Sequence, residues 1–276
     1  MIRGLRSLPS TVWLLGAISL LNDAASELVY PLIPLYLATV LGAGPRALGL
    51  VEGAAEATAA LLKLVSGVWY DRVRRAKGFV VVGYGLAAVA RPAIALVTLW
   101  PVLLLLRVLD RLGKGLRSSP RDALLAHAVP AGQRGLAFGL HRAFDNAGAV
   151  VGPLLAAGLL ALHIPIRDIL LWSALPGAIC FALTLSLREP GQLEASGAQR
   201  PEWTFGTLPL AFRRMLMVLA IFTLGQASNA FILLRANELG MPPTQVALLW
   251  AVVAGVSTLL AVPLSAWSDH VGRLPC

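Results

Sequence analysis

The chain has 276 residues, of which 57% are apolar and only 13% are charged. A soluble domain carries about 25% charged residues, so this composition and the mean hydropathy of +0.75 exclude a water-soluble globule. The abundant aliphatic residues exclude a disordered chain, and a collagen-like chain is excluded because the 26 glycines follow no period of three. Because several apolar stretches recur along the chain, we expect an all-α membrane protein.

Eight apolar stretches approach the length of about 20 residues that a transmembrane helix requires. The first stretch contains Asn22, Asp23 and Glu27 and lacks a short apolar core followed by a cleavage site. These features favour a mature helix over a cleaved signal peptide. Predicted spans one to eight are 11–38, 47–70, 79–99, 101–125, 135–163, 169–187, 211–234 and 246–267.

The hydropathy of span four is too low to identify it as a transmembrane helix, so its assignment depends on the distribution of charge along the chain. Arg107, Asp110, Arg111 and Lys114 form one charged stripe at i, i+3, i+4 and i+7. When span four is included, 16 Lys and Arg residues lie on the side of the N-terminus and three on the other side. Cytoplasmic loops carry such an excess of basic residues. We therefore expect a multi-pass protein of the cytoplasmic (inner) membrane with a cytoplasmic N-terminus.

Other features argue against soluble partners and enzymatic chemistry. The net charge of +9 is explained by membrane orientation and by contact with anionic lipid, so we expect no nucleic acid partner. The four histidines show no metal-ligand spacing, and no glycine-rich phosphate loop follows a strand. We expect no enzyme activity, no cofactor and no metal site.

An internal repeat divides the chain. The segment 45–75 aligns with 243–273 at a constant offset of 198 residues, so span two corresponds to span eight. This correspondence implies a six-helix unit followed by a second copy. We predict an N-terminal six-helix half (1–187), a cytoplasmic linker (188–208) and the start of a second half with two helices (209–276). The second copy would then be incomplete, and we expect a truncated chain unless the repeat itself is misread.

Charged side chains inside the spans are expected to face protein or water. Glu52, Glu56 and Lys63 lie within about 40° of one another around span two, and placing three such charges in lipid would cost about 8–10 kcal/mol. Asp23 and Glu27 are one turn apart and share a face of span one. Such groups either carry protons or form a structural network, and the sequence leaves both interpretations open.

Span five allows the same two interpretations. Arg142 and Asp145 either form a local ion pair that anchors the helix or form part of a cavity that binds substrate or a proton. Arg91 in span three is expected to reach a carboxylate. The candidate proton-coupling or substrate-cavity residues are Asn22, Asp23, Glu27, Glu52, Glu56, Arg91, Arg107, His141, Arg142, Asp145 and Asn146.

Two motifs carry a family resemblance. The segment GVWYDRVRR at 67–75 resembles the cytoplasmic signature G-x-x-x-D-R-x-G-R-R of the major facilitator superfamily, and SAWSDHVGR occupies the corresponding place after span eight. Arg74 replaces the inner glycine of the first copy, and His270 replaces an arginine in the second. Carboxylates and guanidiniums at helix ends can pair across two halves. The resemblance implies a cytoplasmic gate of Gly67, Asp71, Arg72, Arg74, Arg75, Asp269 and Arg273.

Span five resembles the G-x8-G-x3-G-P-x2-G-G signature of the drug:proton antiporters in that superfamily. Gly139, Gly148, Gly152 and Pro153 match it, whereas two alanines follow where glycines are expected. Small residues at this spacing allow close helix approach and proline kinks a helix, so a packing seam is the alternative interpretation. The runs LNDAASELVYPLIPLYL and RVLDRLGKGLRSSPRDALLA are similar to a bacterial branch of exporters with undefined substrates.

The resemblance implies a major facilitator type helical bundle and a secondary active transporter. We expect proton-coupled export of a small organic solute by alternating access, carried out by a monomer in the lipid bilayer. The alternative is a membrane protein without transport activity, either a truncated product or a pseudo-transporter. An intramembrane enzyme is disfavoured because the sequence shows no nucleophile–base or metal cluster.

Overall fold

The computed structural model describes residues 7–73, 75–189 and 209–271; at position 224 and from residue 261 onward it describes only the backbone. Every regular element in that described part is helical. The helices are α1 (Ser10–Val29), α2 (Leu32–Thr39), α3 (Pro45–Val73), α4 (Ala76–Ala93), α5 (Trp100–His127), α6 (Arg134–Ala161), α7 (Ile166–Trp172), α8 (Ala174–Leu185), α9 (Leu210–Leu224), α10 (Asn229–Glu238) and α11 (Pro243–Val271). The predicted linker lies mostly outside the described residues.

Five helical segments of the described chain are long and apolar enough to cross a membrane, which confirms a multi-pass membrane protein. They coincide with predicted spans one, three, five, six and eight. Their bounds are Ser10–Thr39, Ala76–Leu96, Ala131–Ala161, Ile166–Leu185 and Pro243–Leu260.

The remaining three predicted spans coincide with helices that are less apolar or shorter. Helices α3 and α5 carry the charged residues of spans two and four, which lowers their hydropathy. Span seven was predicted as one continuous helix, but the structure divides it between α9 and α10. Gly225 ends α9, and the Ser228 hydroxyl accepts a hydrogen bond from the backbone N–H of Ala230 at the start of α10. The count of eight crossings therefore stays a prediction.

The internal repeat is visible in the helix boundaries. Helices α3 and α11 each contain 29 residues, and both their first and last residues are related by the offset of 198. Both helices begin with a proline, a residue suited to the first helical turn because its missing N–H needs no intrahelical partner there. The boundaries are thus consistent with two related units.

Helix α5 lies between α3 and α4, whereas α1 packs against α6 and α8, and α11 packs against α6. Glycines permit the closest of these crossings. A Cβ atom at Gly83 on α4 would lie 2.6 Å from the carbonyl oxygen of Gly113 on α5, and one at Gly115 would lie 2.6 Å from the Cβ of Leu62 on α3. Helix α5 is therefore held close to both neighbours, which brings its charged stripe against them.

The two ends of the bundle differ in how residues 209–271 are attached. We call them the Pro45 end (residues 40–44, 97–99, 162–165 and 239–242) and the Arg75 end (residues 75, 128–133, 186–189 and 209). At the Pro45 end one hydrophobic core joins Leu32 and Leu48 of the first unit to Leu233 and Val246 of the second. The core nearer the Arg75 end contains only residues that precede 190. Within the described chain, the two units are therefore packed together at the Pro45 end.

Candidate functional site

A buried ionic cluster surrounds Asp110 in the middle of α5. Only 1% of the surface of Asp110 is exposed, and its carboxylate lies 2.9 Å from Nε of Arg91 and 3.6 Å from Nη1 of Arg107. A second carboxylate, Glu52 of α3, lies 2.7 Å from Nη2 of Arg107. Arg111 completes the cluster at 3.9 Å from Asp110. The charged stripe predicted on span four is thus paired with carboxylates inside the bundle.

Positive charge exceeds negative charge among the fully buried residues of this cluster. Its buried guanidiniums are Arg91, Arg107, Arg111 and Arg117, and its buried carboxylates are Glu52 and Asp110. Glu56 supplies a third carboxylate from a more open position: its Oε1 lies 3.2 Å from Nε of Arg111, while 58% of its side chain is exposed. Glu52 and Glu56 therefore share a helix face, but only Glu52 is buried.

Arg117 is stabilised by neutral groups. Its guanidinium lies 4.3 Å from the centroid of the Tyr84 ring and donates hydrogen bonds to the Gly83 carbonyl and to Oδ1 of Asn22, the latter at 3.2 Å. The Asn22 amide in turn donates to Asp23 Oδ1 at 2.8 Å, and its backbone carbonyl accepts from Arg91 at 2.9 Å. Asn22 thereby links α1 to the arginines of α4 and α5.

Asp23 and Glu27 are half-buried on α1, one helical turn apart. The Glu27 carboxylate accepts a hydrogen bond of 2.7 Å from the indole N–H of Trp250 on α11. The Trp250 ring also packs on Tyr30, with ring centroids 4.7 Å apart and an angle of 40° between the ring planes. Glu27 therefore lies at a junction between the two units of the repeat.

Asp145 on α6 lies close to both local partners that the spacing suggests, His141 and Arg142, and has a further partner on α1. The hydroxyl of Ser19 on α1 donates to its Oδ1, and Nδ1 of the buried His141 lies 3.5 Å from its Oδ2. Arg142, the expected partner, lies 4.0 Å away and 77% of its side chain is exposed. Asn146, the last candidate of span five, is half-buried. Asp145 thus connects α6 to α1 through Ser19.

The small residues of span five lie against α1. A Cβ atom at Gly148 would be 2.5 Å from the backbone carbonyl oxygen of Leu20, and one at Gly152 would be 2.6 Å from that of Ala24. Pro153 is buried within the helix, whereas a Cβ atom at Gly139 would meet no atom within 4 Å. The predicted seam is therefore occupied by Gly148 and Gly152, directly beside the Ser19–Asp145 contact.

The described residues of the predicted cytoplasmic gate lie near the Arg75 end. Asp71, Arg72 and Arg75 are exposed, and Gly67 faces Ser119 of α5. Arg74, Arg273 and the side chain of Asp269 lie outside the described residues, so the predicted pairing between the two units is not described by the structure. A feature missed from the sequence is Glu189, whose carboxylate accepts from the backbone N–H groups of residues 76 and 77 at the start of α4.

The fold and the motifs agree with a family comparison. Residues 15–276 match the family model described as Major Facilitator Superfamily. The chain belongs to the major facilitator superfamily. This confirms the resemblance to the superfamily and the expectation of a membrane transporter family instead of an enzyme, whereas the drug:proton antiporter branch stays a prediction.

Relatives of the chain include both uncharacterized and named proteins. The chain is 32% identical to the uncharacterized MFS-type transporter MJ1317 of Methanocaldococcus jannaschii, covering 97% of this chain and 68% of that protein. It is 29% identical to the multidrug resistance protein MdtG of Salmonella typhi, covering 91% of this chain and 65% of that protein. An uncharacterized protein of Mycobacterium tuberculosis, Rv2265, is 37% identical over 64% of this chain and 43% of its own length. The chain thus spans about two thirds or less of these relatives.

Solved structures show the same fold at low sequence identity. The nucleoside transporter NupG (D323A mutant) superposes with a TM-score of 0.76 at 15% identity, covering 95% of this chain and 69% of NupG. A bacterial homologue of the human lysosomal transporter Spinster, in an inward-facing and unoccupied conformation, gives a TM-score of 0.72 at 16% identity, covering 96% and 63%. These likenesses establish the major facilitator fold of the described chain.

Further contacts of the candidate site escaped the sequence analysis. Trp250 and Tyr84 lie in apolar stretches and carry no motif, so no local signal marks them as partners of Glu27 and Arg117. The small size of Gly83 suggests a packing role, but the sequence does not reveal that it packs against Gly113 of α5. Spacing along one helix identifies a face, whereas the neighbouring helix is set by the tertiary fold.

Proposed function

We propose that the chain takes part in proton-coupled export of a small organic solute by alternating access in the cytoplasmic membrane. The observation that carries this proposal is the position of Asp23 and Glu27. Both carboxylates are half-buried in a membrane-spanning helix, and neither has a side-chain ion pair within 4.0 Å among the described residues. A carboxylate without a fixed cation inside a membrane protein is suited to exchanging a proton.

The arginine cluster has a different role in this proposal. Glu52, Asp110 and Arg107 are buried and mutually paired, so their charges are satisfied without a substrate. We therefore assign them a structural role, because they fix α5 against α3 and α4 and hold Arg117 near Asn22. Asn22 then connects this framework to Asp23. The predicted structural network and the predicted proton carriers thus become two parts of one site, with the framework on α3–α5 and the carriers on α1.

The direction of access follows from orientation and packing. With the N-terminus in the cytoplasm, as the excess of basic residues indicates, the Pro45 end faces outward. The two units pack together at that end, so this conformer would admit solute from the cytoplasmic side. The exposed gate residues Asp71, Arg72 and Arg75 lie at the other end, where the gate would close in the alternate state.

Export, as opposed to uptake, is supported by two observations. The seam of Gly148 and Gly152 resembles that of the drug:proton antiporters and lies against the helix that carries Asp23 and Glu27. MdtG and MdtH, which align with 91% and 89% of the chain, are multidrug resistance proteins. We therefore propose the antiporter type, with protons moving inward as solute moves outward.

The proposal is tested with purified chain in liposomes that contain a pH-sensitive dye. An imposed pH gradient should drive uptake of at least one compound from a panel of organic cations, anions and neutral molecules. Asp23→Asn and Glu27→Gln should each abolish gradient-driven uptake. Asp168→Asn and Glu238→Gln make the same chemical changes at exposed sites outside the proposed cavity, and should leave uptake unchanged.

Two results would contradict the proposal. Undiminished uptake in both Asp23→Asn and Glu27→Gln would remove these residues as proton carriers. Absence of gradient-driven uptake across the whole panel, with correctly folded protein in the membrane, would instead favour the alternative function, a membrane protein without transport activity.

A further inference from the structure

The contact between Glu27 and Trp250 joins two units that are far apart in sequence. Trp250 lies 223 residues after Glu27, and its indole N–H donates to Oε2 of the carboxylate at 2.7 Å. Most of the other described packing between these units at the Pro45 end is apolar, with Leu233, Leu234 and Val246 buried in a common core. The Tyr30 hydroxyl adds one further hydrogen bond, to the side chain of Ser228. Apolar surfaces separate or slide with little directional preference, whereas a hydrogen bond to a carboxylate fixes one geometry.

Protonation of Glu27 would weaken this contact without removing it sterically. A hydrogen bond to an ionised carboxylate is about twice as strong as one between neutral groups. A neutral Glu27 would also offer its own O–H as a competing donor, which the indole N–H cannot accept. The Trp250 ring would keep its contact with Tyr30, because that contact requires no charge.

The charged surroundings of Glu27 come from two helices. Asp23 lies near it on α1 and Tyr30 directly after the end of that helix, and Arg111 and Lys114 approach from α5. Helix α11 adds no ionisable side chain between residues 243 and 260. The interaction of α11 with the charge of Glu27 is therefore the hydrogen bond donated by the indole N–H of Trp250.

We propose that Trp250 is a positioning residue that latches the two units at the Pro45 end through Glu27, and that protonation of Glu27 releases this latch. The inference deepens the proposed function, on which it rests, by naming the contact through which a proton alters access. When Glu27 is ionised the latch holds the Pro45 end together. When Glu27 is protonated the Pro45 end separates more readily, which exposes the carboxyl group to the outer side.

The test measures the separation of the two units directly, without any substrate. Spin labels are attached at Leu99→Cys and Leu239→Cys, two exposed positions at the Pro45 end on different units, with the native cysteines replaced by serine. Distances are recorded by double electron–electron resonance in lipid nanodiscs over a range of pH. The unmodified latch should give a short distance at high pH and a growing long-distance population as the pH falls.

Two substitutions remove the latch by different means. Glu27→Gln removes the charge, and Trp250→Phe removes the N–H donor while it keeps a ring against Tyr30. Each should raise the ratio of long to short distances at high pH by about tenfold, the change expected for losing a hydrogen bond to a charged group. Each should also flatten the pH dependence, which a merely structural contribution of the Trp250 ring would not do.

A matched control separates the latch from general effects of substitution. Trp69→Phe makes the same change at a half-exposed ring near the Arg75 end and should behave as the parent protein. The proposal is overturned if Glu27→Gln or Trp250→Phe retains the parent distances and pH response, or if the parent shows no pH response. The distance measurement involves no solute, so it can be interpreted even if the protein shows no transport. If the protein transports but the Pro45 end does not open with pH, the latch is rejected and the proposed function is retained.

Discussion

Asp110→Asn tests the buried ionic cluster most directly. The change preserves the shape of a side chain that is 1% exposed, but it removes the carboxylate that serves Arg91 at 2.9 Å, Arg107 at 3.6 Å and Arg111 at 3.9 Å. Of the cluster's two buried carboxylates, only Glu52 would remain to compensate the buried guanidiniums. Removing one partner of a buried ion pair costs about 3–5 kcal/mol, because the other charge is left buried without compensation.

The free energy of unfolding can be measured in mixed micelles by titration with a denaturing detergent, with tryptophan fluorescence as the signal. Asp122→Asn provides the control, because it makes the same change on the same helix. The Asp122 side chain is 42% exposed and pairs with Arg121 at 2.9 Å, so its loss should cost less than about 1 kcal/mol. Equal losses for the two variants would refute the assignment of Asp110 as the centre of a buried cluster.

Two further predictions concern the seam and the orientation. Gly148→Ala should destabilise the protein by about 1–3 kcal/mol, because the new Cβ would lie 2.5 Å from a backbone oxygen of α1; Gly139→Ala, with open space around it, should be neutral or stabilising by up to about 1 kcal/mol in the same unfolding assay. With the native cysteines replaced, Arg75→Cys should react with a membrane-impermeant maleimide only from the cytoplasmic side, and Leu99→Cys only from outside. Labelling of Arg75→Cys in intact cells would contradict the proposed orientation.

The membrane character and much of the helical order follow from the sequence alone. Apolar length and composition are properties of a single segment, so spans one, three, five, six and eight could be located without knowledge of their neighbours. Spans two and four are harder to judge, because their hydropathy is lowered by charges whose partners lie on other helices. The break at 225–228 was missed because both sides of it are apolar.

The sequence also determined which residues share a helix face, since 100° per residue is a local rule. It placed Glu52 with Glu56, and Asp23 with Glu27. The tertiary structure alone decided the distant partners: Arg107 for Glu52 and Trp250 for Glu27. The side chains that a helix face contacts are known only once the helices are packed. In this protein the packing depends on glycines that lie close to the backbone or side chains of other helices. For that reason residue type and spacing could nominate the charged groups, whereas only the fold distinguished Glu52 and Asp110, which are paired with arginines, from Asp23 and Glu27, which have no ion pair within 4.0 Å among the described residues.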